Sequence, residues 1–187
     1  MDVMQAISDR RSIRRFQPKP VSRELVEKVL KAAVKAPSGK NAQPWRFVVL
    51  EGSKKDELVD VLGSQAEARK ESGTAMTAKA MRQAPVLILV YDSKFTPGDD
   101  HNGFARYMSL VHTQSIGAAI QTMLLAATAE GLGSLWICDV FSAEKEIGQL
   151  LGIKEELVAA VSLGYAAESP APRPRKPWQE VTTWVES

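Results

Sequence analysis

Four arginines surround a serine near the N-terminus, in the stretch RRSIRRF. They are Arg10, Arg11, Arg14 and Arg15, and the hydroxyl of Ser12 lies among them. Guanidinium groups present paired N–H donors in one plane, a geometry that matches the oxygens of phosphates and carboxylates. A short run of like charge is also typical of a solvated surface. The pattern therefore predicts either an anion site or a charged loop.

A second basic group lies in the proline-rich C-terminal tail, where Arg173, Arg175 and Lys176 are interspersed with prolines. An extended backbone projects such side chains without a core of its own. The chain has 24 Lys and Arg against 22 Asp and Glu, a net charge of +2, which gives no global field toward nucleic acid or an anionic membrane. The longest apolar run, Ile116–Ala129, also falls short of the roughly 18 residues of a membrane span. Any anion site must therefore be local, and we expect neither a membrane nor nucleic acid as a partner.

The turn after the second predicted helix, APSGKNAQPW, carries more polar groups than a connection needs. Pro37, Ser38 and Gly39 already supply a helix stop. Asn41 and Gln43 add side-chain amides, which donate and accept hydrogen bonds in fixed geometry. The residues alone leave two interpretations open, an ordinary surface loop and one wall of a ligand site.

Several kinds of catalytic and binding motif are absent from the sequence. It contains no GxxxxGK[ST] phosphate loop, no GxGxxG after a strand, no HExxH and no CxxC. His101 and His112 have no evident nucleophile as partner, so we expect each to be structural or solvent-exposed. The single cysteine, Cys138, cannot form an internal disulfide. We therefore predict no metal site and a reducing, cytoplasmic setting, which the lack of a secretory pattern at the N-terminus also favours.

Hydrophobic periodicity predicts an α+β domain. The predicted helices are a short one ending near Ser8, one capped by Ser22, one starting at Ser53, a long buried one over Leu110–Glu130 closed by Gly131, and one over Ser142–Leu151. The predicted strands are Trp45–Leu50, Pro85–Tyr91, Ser134–Cys138 and Leu157–Tyr165. The second strand is apolar on both faces, which is typical of a central strand. Residues 64–83 are weakly helical, and residues 92–104 are loop-like.

We expect one domain over residues 1–187, with residues 166–187 as an extended tail. Its sheet would hold four or five strands with helices around it, in an order that the sequence does not specify. The tail carries Trp178, Trp184 and Val185, and apolar side chains there gain stability only by burial against another surface. The tail is therefore predicted to pack its apolar side chains against another surface.

Four stretches occur together and in order along nearly the whole chain: RRSIRRF, APSGKNAQPWRFVVL, GAAIQTMLLAATAEGLGSLWI, and the tail motif GYAAE followed by PRPRKP. They resemble the FMN-dependent nitroreductase family of flavin oxidoreductases. The resemblance implies a central mixed or antiparallel sheet surrounded by helices, in a homodimer that exchanges its C-terminal tails and shares its flavin sites. It also implies FMN as cofactor, and NADH or NADPH as co-substrate.

The resemblance further implies which residues bind FMN. Arg10 and Arg11 would contact the phosphate or ribityl chain, with Ser12 and Arg14 near the pyrimidine edge. The turn would reach the flavin of the partner subunit, the segment at the end of the third strand would pass the ring near N5, and the tail would contact the phosphate. These three sets are Pro37, Ser38, Gly39, Asn41 and Gln43 in the turn, Trp136, Ile137 and Cys138 in the strand, and Arg173 and Arg175 in the tail.

The implied activity is ping-pong hydride transfer through flavin N5 to nitroaromatics, quinones or related small electrophiles. A cation such as Arg14 at the pyrimidine edge would favour the reduced flavin, and the hydride step needs no side-chain acid or base, so no catalytic side chain is predicted. The alternatives are a non-catalytic flavin-binding protein and an anion-binding or nucleic-acid-binding module. We interpret Cys138, where relatives often have glycine, as a small buried side chain rather than a redox partner. Residues 64–108 would shape substrate access.

Overall fold

The central sheet consists of antiparallel strands. A computed structural model of the chain describes residues 1–95 and 103–186, and within them the sheet has four strands: β1 (Trp45–Glu51), β2 (Val86–Asp92), β3 (Gly133–Ile137) and β4 (Glu156–Gly164). Their order across the sheet is β1-β2-β4-β3. This confirms the predicted α+β class and decides between the mixed and antiparallel alternatives.

Helices surround the sheet. They are α1 (Val3–Asp9), α2 (Arg23–Ala33), α3 (Gly52–Ala68), α4 (Ser72–Gln83), α5 (Phe104–Ala129) and α6 (Glu144–Leu151), with 3-10 turns at Gly39–Asn41, Asp139–Ala143 and Trp178–Val181. The Ser22 hydroxyl accepts a hydrogen bond from the Leu25 backbone N–H at 3.3 Å, so the predicted cap of α2 is confirmed. In residues 1–95 and 103–186, none of these helices meets the length and apolarity that crossing a bilayer requires.

Several predicted boundaries differ from the observed ones by one or more residues, among them the following three. The helix predicted from Ser53 begins at Gly52, because β1 continues to Glu51 and Gly52 turns the chain at φ 55°. The long helix begins at Phe104, well before the predicted Leu110. The third strand ends at Ile137, so Cys138 lies beyond it. Apolar periodicity marks the buried part of an element, while its exposed ends carry no such signal.

The core has two layers, one on each face of the sheet. Strand β2 is buried along its whole length and supplies both layers by alternation. Val86, Ile88 and Val90 pack with α2 and α5, while Leu87 and Leu89 pack with α3, α4 and α6. The predicted central position of this strand is confirmed.

The chain after α1 crosses the sheet where β3 begins and β4 ends, and there Ile13 and Phe16 are each 5% exposed. Gly133 and Gly164 are paired across these two strands. A Cβ on Gly133 would lie 2.9 Å from Ile13 Cγ1, and one on Gly164 would lie 2.9 Å from Phe16 Cδ1. These separations are too short for carbon atoms, so the packing depends on glycine at both positions. The residues between the two anchors are thereby held at the sheet's end.

The tail leaves β4, and its residues 171–186 are all exposed. Its apolar side chains are largely exposed, with Trp178 at 59%, Trp184 at 74% and Val185 at 93%. In a single chain these side chains therefore remain without the burial that the sequence analysis expects for them.

Candidate functional site

The arginine segment, residues 10–15, is held by backbone pairing in its middle and again just beyond its last residue. Ser12 pairs with Ser134 of β3, and the Ile13 N–H donates to the Ser134 carbonyl at 2.9 Å. Farther on, the Gln17 N–H donates to the Tyr165 carbonyl at 2.8 Å. The segment therefore passes from the edge of β3 to the root of the tail. This places it beside the strand that leads to Trp136.

The four guanidinium groups have different partners. Arg11 Nη1 donates to the carbonyls of Ser8 at 2.6 Å and Arg10 at 3.0 Å, and Arg14 Nη1 makes only a long contact of 3.4 Å with the Ser12 carbonyl. Among the described residues, the Arg10 side chain has no hydrogen bond or ion pair. Arg10 and Arg14 therefore keep most of their donors free for an anion.

Arg15, by contrast, is paired with Glu168, a residue that the sequence analysis did not single out. Arg15 Nε lies 3.0 Å from Glu168 Oε2. Glu168 also accepts the backbone N–H groups of Arg14 and Arg15, and the hydrogen bond from Arg14 is the main cause that lowers the pKa of this carboxyl below its ordinary value. A signal was present, since a lone carboxylate follows the last strand in GYAAE, within reach of a chain rich in arginine.

The turn at residues 37–44 has an unusual backbone. Lys40, Asn41 and Gln43 all have positive φ, at 52°, 55° and 47°. Each such residue other than glycine costs of order 1 to 3 kcal/mol unless its surroundings hold it, and residues of this kind cluster at functional sites. Internal hydrogen bonds hold this turn, among them the one from the Gln43 N–H to Ser38 Oγ at 3.0 Å.

Two neighbouring elements fix the 37–44 turn from outside. On α5, Ser115 Oγ accepts the Gly39 N–H at 3.2 Å, and a Cβ on Gly39 would overlap Val111 Cγ1. After β2, Ser93 donates from its N–H at 2.7 Å and from its hydroxyl at 2.9 Å to the Pro44 carbonyl. The turn is therefore built into the fold, which favours the ligand-wall interpretation over a simple loop.

Of the two histidines, His112 lies within the described residues. His112 on α5 is buried, and its Nδ1 lies 3.1 Å from Oδ2 of the buried Asp92 at the end of β2. This pair ties α5 to β2 between the two attachments of the turn, a structural role as expected for His112. His101 lies outside the described residues.

Trp136, Ile137 and Cys138 follow one another at the end of β3. Trp136 is 39% exposed and Ile137 is buried. Cys138 is exposed, so its interpretation as a small buried side chain is wrong: β3 ends before it and the chain turns outward. Partial desolvation, and then the carboxylate of Asp139, raise the pKa of the Cys138 thiol, which disfavours the reactive thiolate.

Helix α4 reaches the same place. The Thr77 hydroxyl donates to Asp139 Oδ2 at 2.7 Å, next to Cys138. Part of the 64–108 region is therefore tied to the end of β3. Its role in substrate access remains a prediction, and residues 96–102 of this region lie outside the described ones.

The predicted site residues do not all meet in one chain. The arginine segment and β3 are joined by hydrogen bonds, as described above. Within residues 1–95 and 103–186, no hydrogen bond or ion pair links the arginine segment to the 37–44 turn, or to Arg173 and Arg175 of the tail. Both tail arginines are exposed, and Arg175 Nη1 contacts only carbonyls of its own tail, at 3.2 and 3.4 Å.

The sheet and its helices match a known flavoprotein architecture. A protein of Desulfovibrio desulfuricans, named provisionally as a nitroreductase and solved in complex with FMN, gives a TM-score of 0.78 at 31% identity, over 100% of this chain and 98% of the other. A BluB-like flavoprotein of Clostridium difficile gives a TM-score of 0.82 at 28% identity, over 100% of both chains. The fold thus defines the class of nitroreductase-like flavoproteins.

The sequence comparisons define the family. The model of the nitroreductase family matches residues 7–165. A Methanothermobacter thermautotrophicus protein, named provisionally as an NADH dehydrogenase/NAD(P)H nitroreductase, is 33% identical over 179 residues, covering 92% of this chain and 82% of that protein. The chain belongs to the nitroreductase family, and the family expected from its motifs is confirmed. The cofactors in these relatives' names agree with those predicted.

A substitution pair tests how tightly α5 fixes the turn. We expect Gly39→Ala to destabilise the protein by about 1 to 3 kcal/mol, because the new methyl group collides with Val111 Cγ1. Adding Val111→Ala removes that atom and should recover part of the loss, so the double variant should be more stable than the sum of the two single changes. Denaturant unfolding of all four proteins measures this coupling, and strict additivity would contradict the contact.

Proposed function

We propose that the chain is an FMN-dependent NAD(P)H oxidoreductase that reduces nitroaromatics, quinones or related small electrophiles in a ping-pong cycle. The observation that carries the proposal is the pair of largely uncompensated guanidinium groups of Arg10 and Arg14 at the edge of β3, in a chain of the nitroreductase family. In this proposal residues 1–187 form one FMN-binding domain, working in the cytoplasm.

The donor set of the site fits FMN. The phosphate of FMN is a dianion, and the chain has no glycine-rich phosphate loop to receive it. Guanidinium groups would replace such a loop, because they offer planar paired donors to phosphate oxygens. Arg10 and the remaining donors of Arg11 would serve the phosphate or ribityl chain, together with Arg173 and Arg175.

The protein's own contribution is positional and electrostatic. Bound FMN supplies the hydride chemistry, taking a hydride from the nicotinamide nucleotide and giving it to the acceptor. Arg14 would hold positive charge at the pyrimidine edge, with Ser12 beside it, and so favour the reduced cofactor. Trp136, Ile137 and Cys138 would line the ring, and no side-chain acid or base is assigned.

The proposed active unit is a homodimer in which the 37–44 turn serves the flavin of the partner subunit through Pro37, Ser38, Gly39, Asn41 and Gln43. Two observations support it. The turn has no hydrogen bond to the arginine segment within the described part of one chain. The tail also leaves Trp178 and Trp184 largely exposed, as expected of side chains that pack on another subunit in a tail exchange.

The test of the activity is the colour of the purified protein. We expect the visible absorption of an oxidised flavin, bleached anaerobically by NADH or NADPH and restored by a quinone or nitroaromatic. A protein that binds FMN but is not bleached would be the non-catalytic alternative. A colourless protein that FMN does not stabilise would contradict the proposal.

Two arginine substitutions should separate binding from redox tuning. Arg14→Ala should lower the flavin midpoint potential while much FMN stays bound, with an effect of about 1 to 3 kcal/mol, as for one charge-assisted hydrogen bond. Arg175→Ala should weaken FMN retention with little change in potential, because a phosphate contact does not sense the redox state of the ring. Spectroelectrochemistry and FMN titration measure the two quantities. An unchanged potential in flavin-loaded Arg14→Ala would refute the role of Arg14.

Complementation tests the shared site. One variant carries Arg10→Ala and Arg14→Ala, and the other replaces Ser38 and Asn41 by Trp. In a heterodimer purified by two different tags, one site then combines both damaged elements, while the other is intact. We expect up to half of the wild-type activity per dimer, from variants that are each inactive as homodimers. Activity no higher than that of the homodimers would show that each site is built from one chain.

A further inference from the structure

Glu168 lies in the chain between the last strand and the basic residues of the tail, and its carboxylate contacts the arginine segment. Its Oε1 accepts the backbone N–H of Arg14 at 2.6 Å and that of Arg15 at 3.0 Å, and its Oε2 pairs with Arg15 Nε at 3.0 Å. The Glu168 side chain is 16% exposed, against 68% for Arg15. It is therefore largely withdrawn from solvent by the contacts it makes.

These contacts fill a gap in the backbone pairing. The Ile13 N–H is bonded to Ser134 of β3, and the Gln17 N–H is bonded to Tyr165 at the end of β4. Between them the segment changes neighbours, and the N–H groups of Arg14 and Arg15 have no strand to receive them. Glu168 accepts both. A carboxylate that accepts two adjacent backbone donors fixes the local backbone, and with it the origin of the Arg14 side chain.

The same carboxylate pairs with one arginine of the segment and leaves the others available to a ligand. Its negative charge is compensated by Arg15, so that Arg15 is committed to an ion pair inside the chain. Arg10 and Arg14 are left for an external anion. Glu168 also lies at the root of the tail, where the Ala167 N–H donates to the Arg15 carbonyl at 2.9 Å. The start of the segment that carries Arg173 is thus fastened to the arginine segment.

We infer that Glu168 is a positioning residue of the flavin site, which sets the placement of Arg14 through its backbone and removes Arg15 from the site. This inference rests on the proposed function. In this inference Glu168 does not contact the cofactor, and it nevertheless affects the affinity for the cofactor and the cofactor's midpoint potential.

The contact has a defined pH dependence. The Arg14 N–H first, and then the Arg15 side chain and N–H, lower the pKa of Glu168, and in the described residues Arg15 is the charged side chain that faces it. A carboxyl group whose pKa is lowered by folding contributes its stabilisation above its ordinary pKa and loses it as the pH falls through the lowered value. The positioning should therefore be intact at neutral pH and persist into mildly acidic solution.

Three variants separate the backbone contact from the ion pair. Glu168→Ala removes both, Glu168→Gln keeps a neutral acceptor for the N–H groups, and Arg15→Ala removes only the ion pair. We expect Glu168→Ala to bind FMN about tenfold more weakly or worse, as for loss of hydrogen bonds to a charged group. Its remaining bound flavin should have a lower midpoint potential, shifted in the same direction as in Arg14→Ala. Glu168→Gln should be intermediate, and Arg15→Ala should keep a potential near that of the wild type.

The outcomes that overturn the inference are distinct. Wild-type affinity and potential in Glu168→Ala would exclude the role, and weakened affinity at an unchanged potential would reduce Glu168 to a support of the tail. If Arg15→Ala reproduced Glu168→Ala, the ion pair and not the backbone contact would be responsible. A wild-type protein that fails to bind FMN would instead overturn the proposed function itself.

A pH series keeps the test decisive if Glu168→Ala fails to fold. The FMN phosphate titrates near pH 6, so FMN affinity is measured for wild type and Glu168→Gln at each pH, and their ratio cancels that titration. We expect the affinity of the wild type divided by that of Glu168→Gln to be above one at neutral pH. This ratio should stay constant as the pH falls past the ordinary pKa of a glutamate, and should approach one only at lower pH. A ratio of one at neutral pH would overturn the inference.

Discussion

The contact of Ile13 and Phe16 with the glycine pair at the start of β3 and the end of β4 is the constraint on which the arginine segment depends. Gly133 and Gly164 face each other across the two strands, and neither leaves room for a Cβ. Two buried anchors three positions apart fix the chain between them, and the two residues in the interval, Arg14 and Arg15, are exposed. A cluster of like charges is thereby kept at the sheet's edge by apolar packing, which does not weaken with salt.

Helix α5 provides the second constraint. Its Ser115 and Val111 fix the 37–44 turn, and a Cβ on its Gly117 would meet the ring of Trp136 at 3.7 Å. One helix therefore contacts both the turn and the strand that carries the arginine segment. Because α5 is one continuous helix of 26 residues rather than a loop, the separation of these two walls is set within each chain.

The sequence predicts the elements better than their arrangement. The central strand and the Ser22 cap were readable, because the uninterrupted apolar run of β2 and a serine ahead of an amphipathic helix are local patterns. The strand order was not, since it depends on contacts between residues far apart in the chain. The role of Glu168 was missed for the same reason: its partners lie about 150 positions away. The exposure of Cys138 was not predicted, because it depends on the residue at which β3 ends. A sequence pattern specifies the end of an element less well than its middle.

The left-handed residues of the 37–44 turn have a consequence for association. Lys40, Asn41 and Gln43 adopt their strained backbone already in the single chain, held by Ser38, Ser93 and Ser115. The conformational entropy of this turn is thus lost during folding and is not lost again when another molecule binds against it. Such preorganisation favours fast association and a narrow choice of shape, since a surface that is already rigid cannot mould itself to a poorly matched ligand.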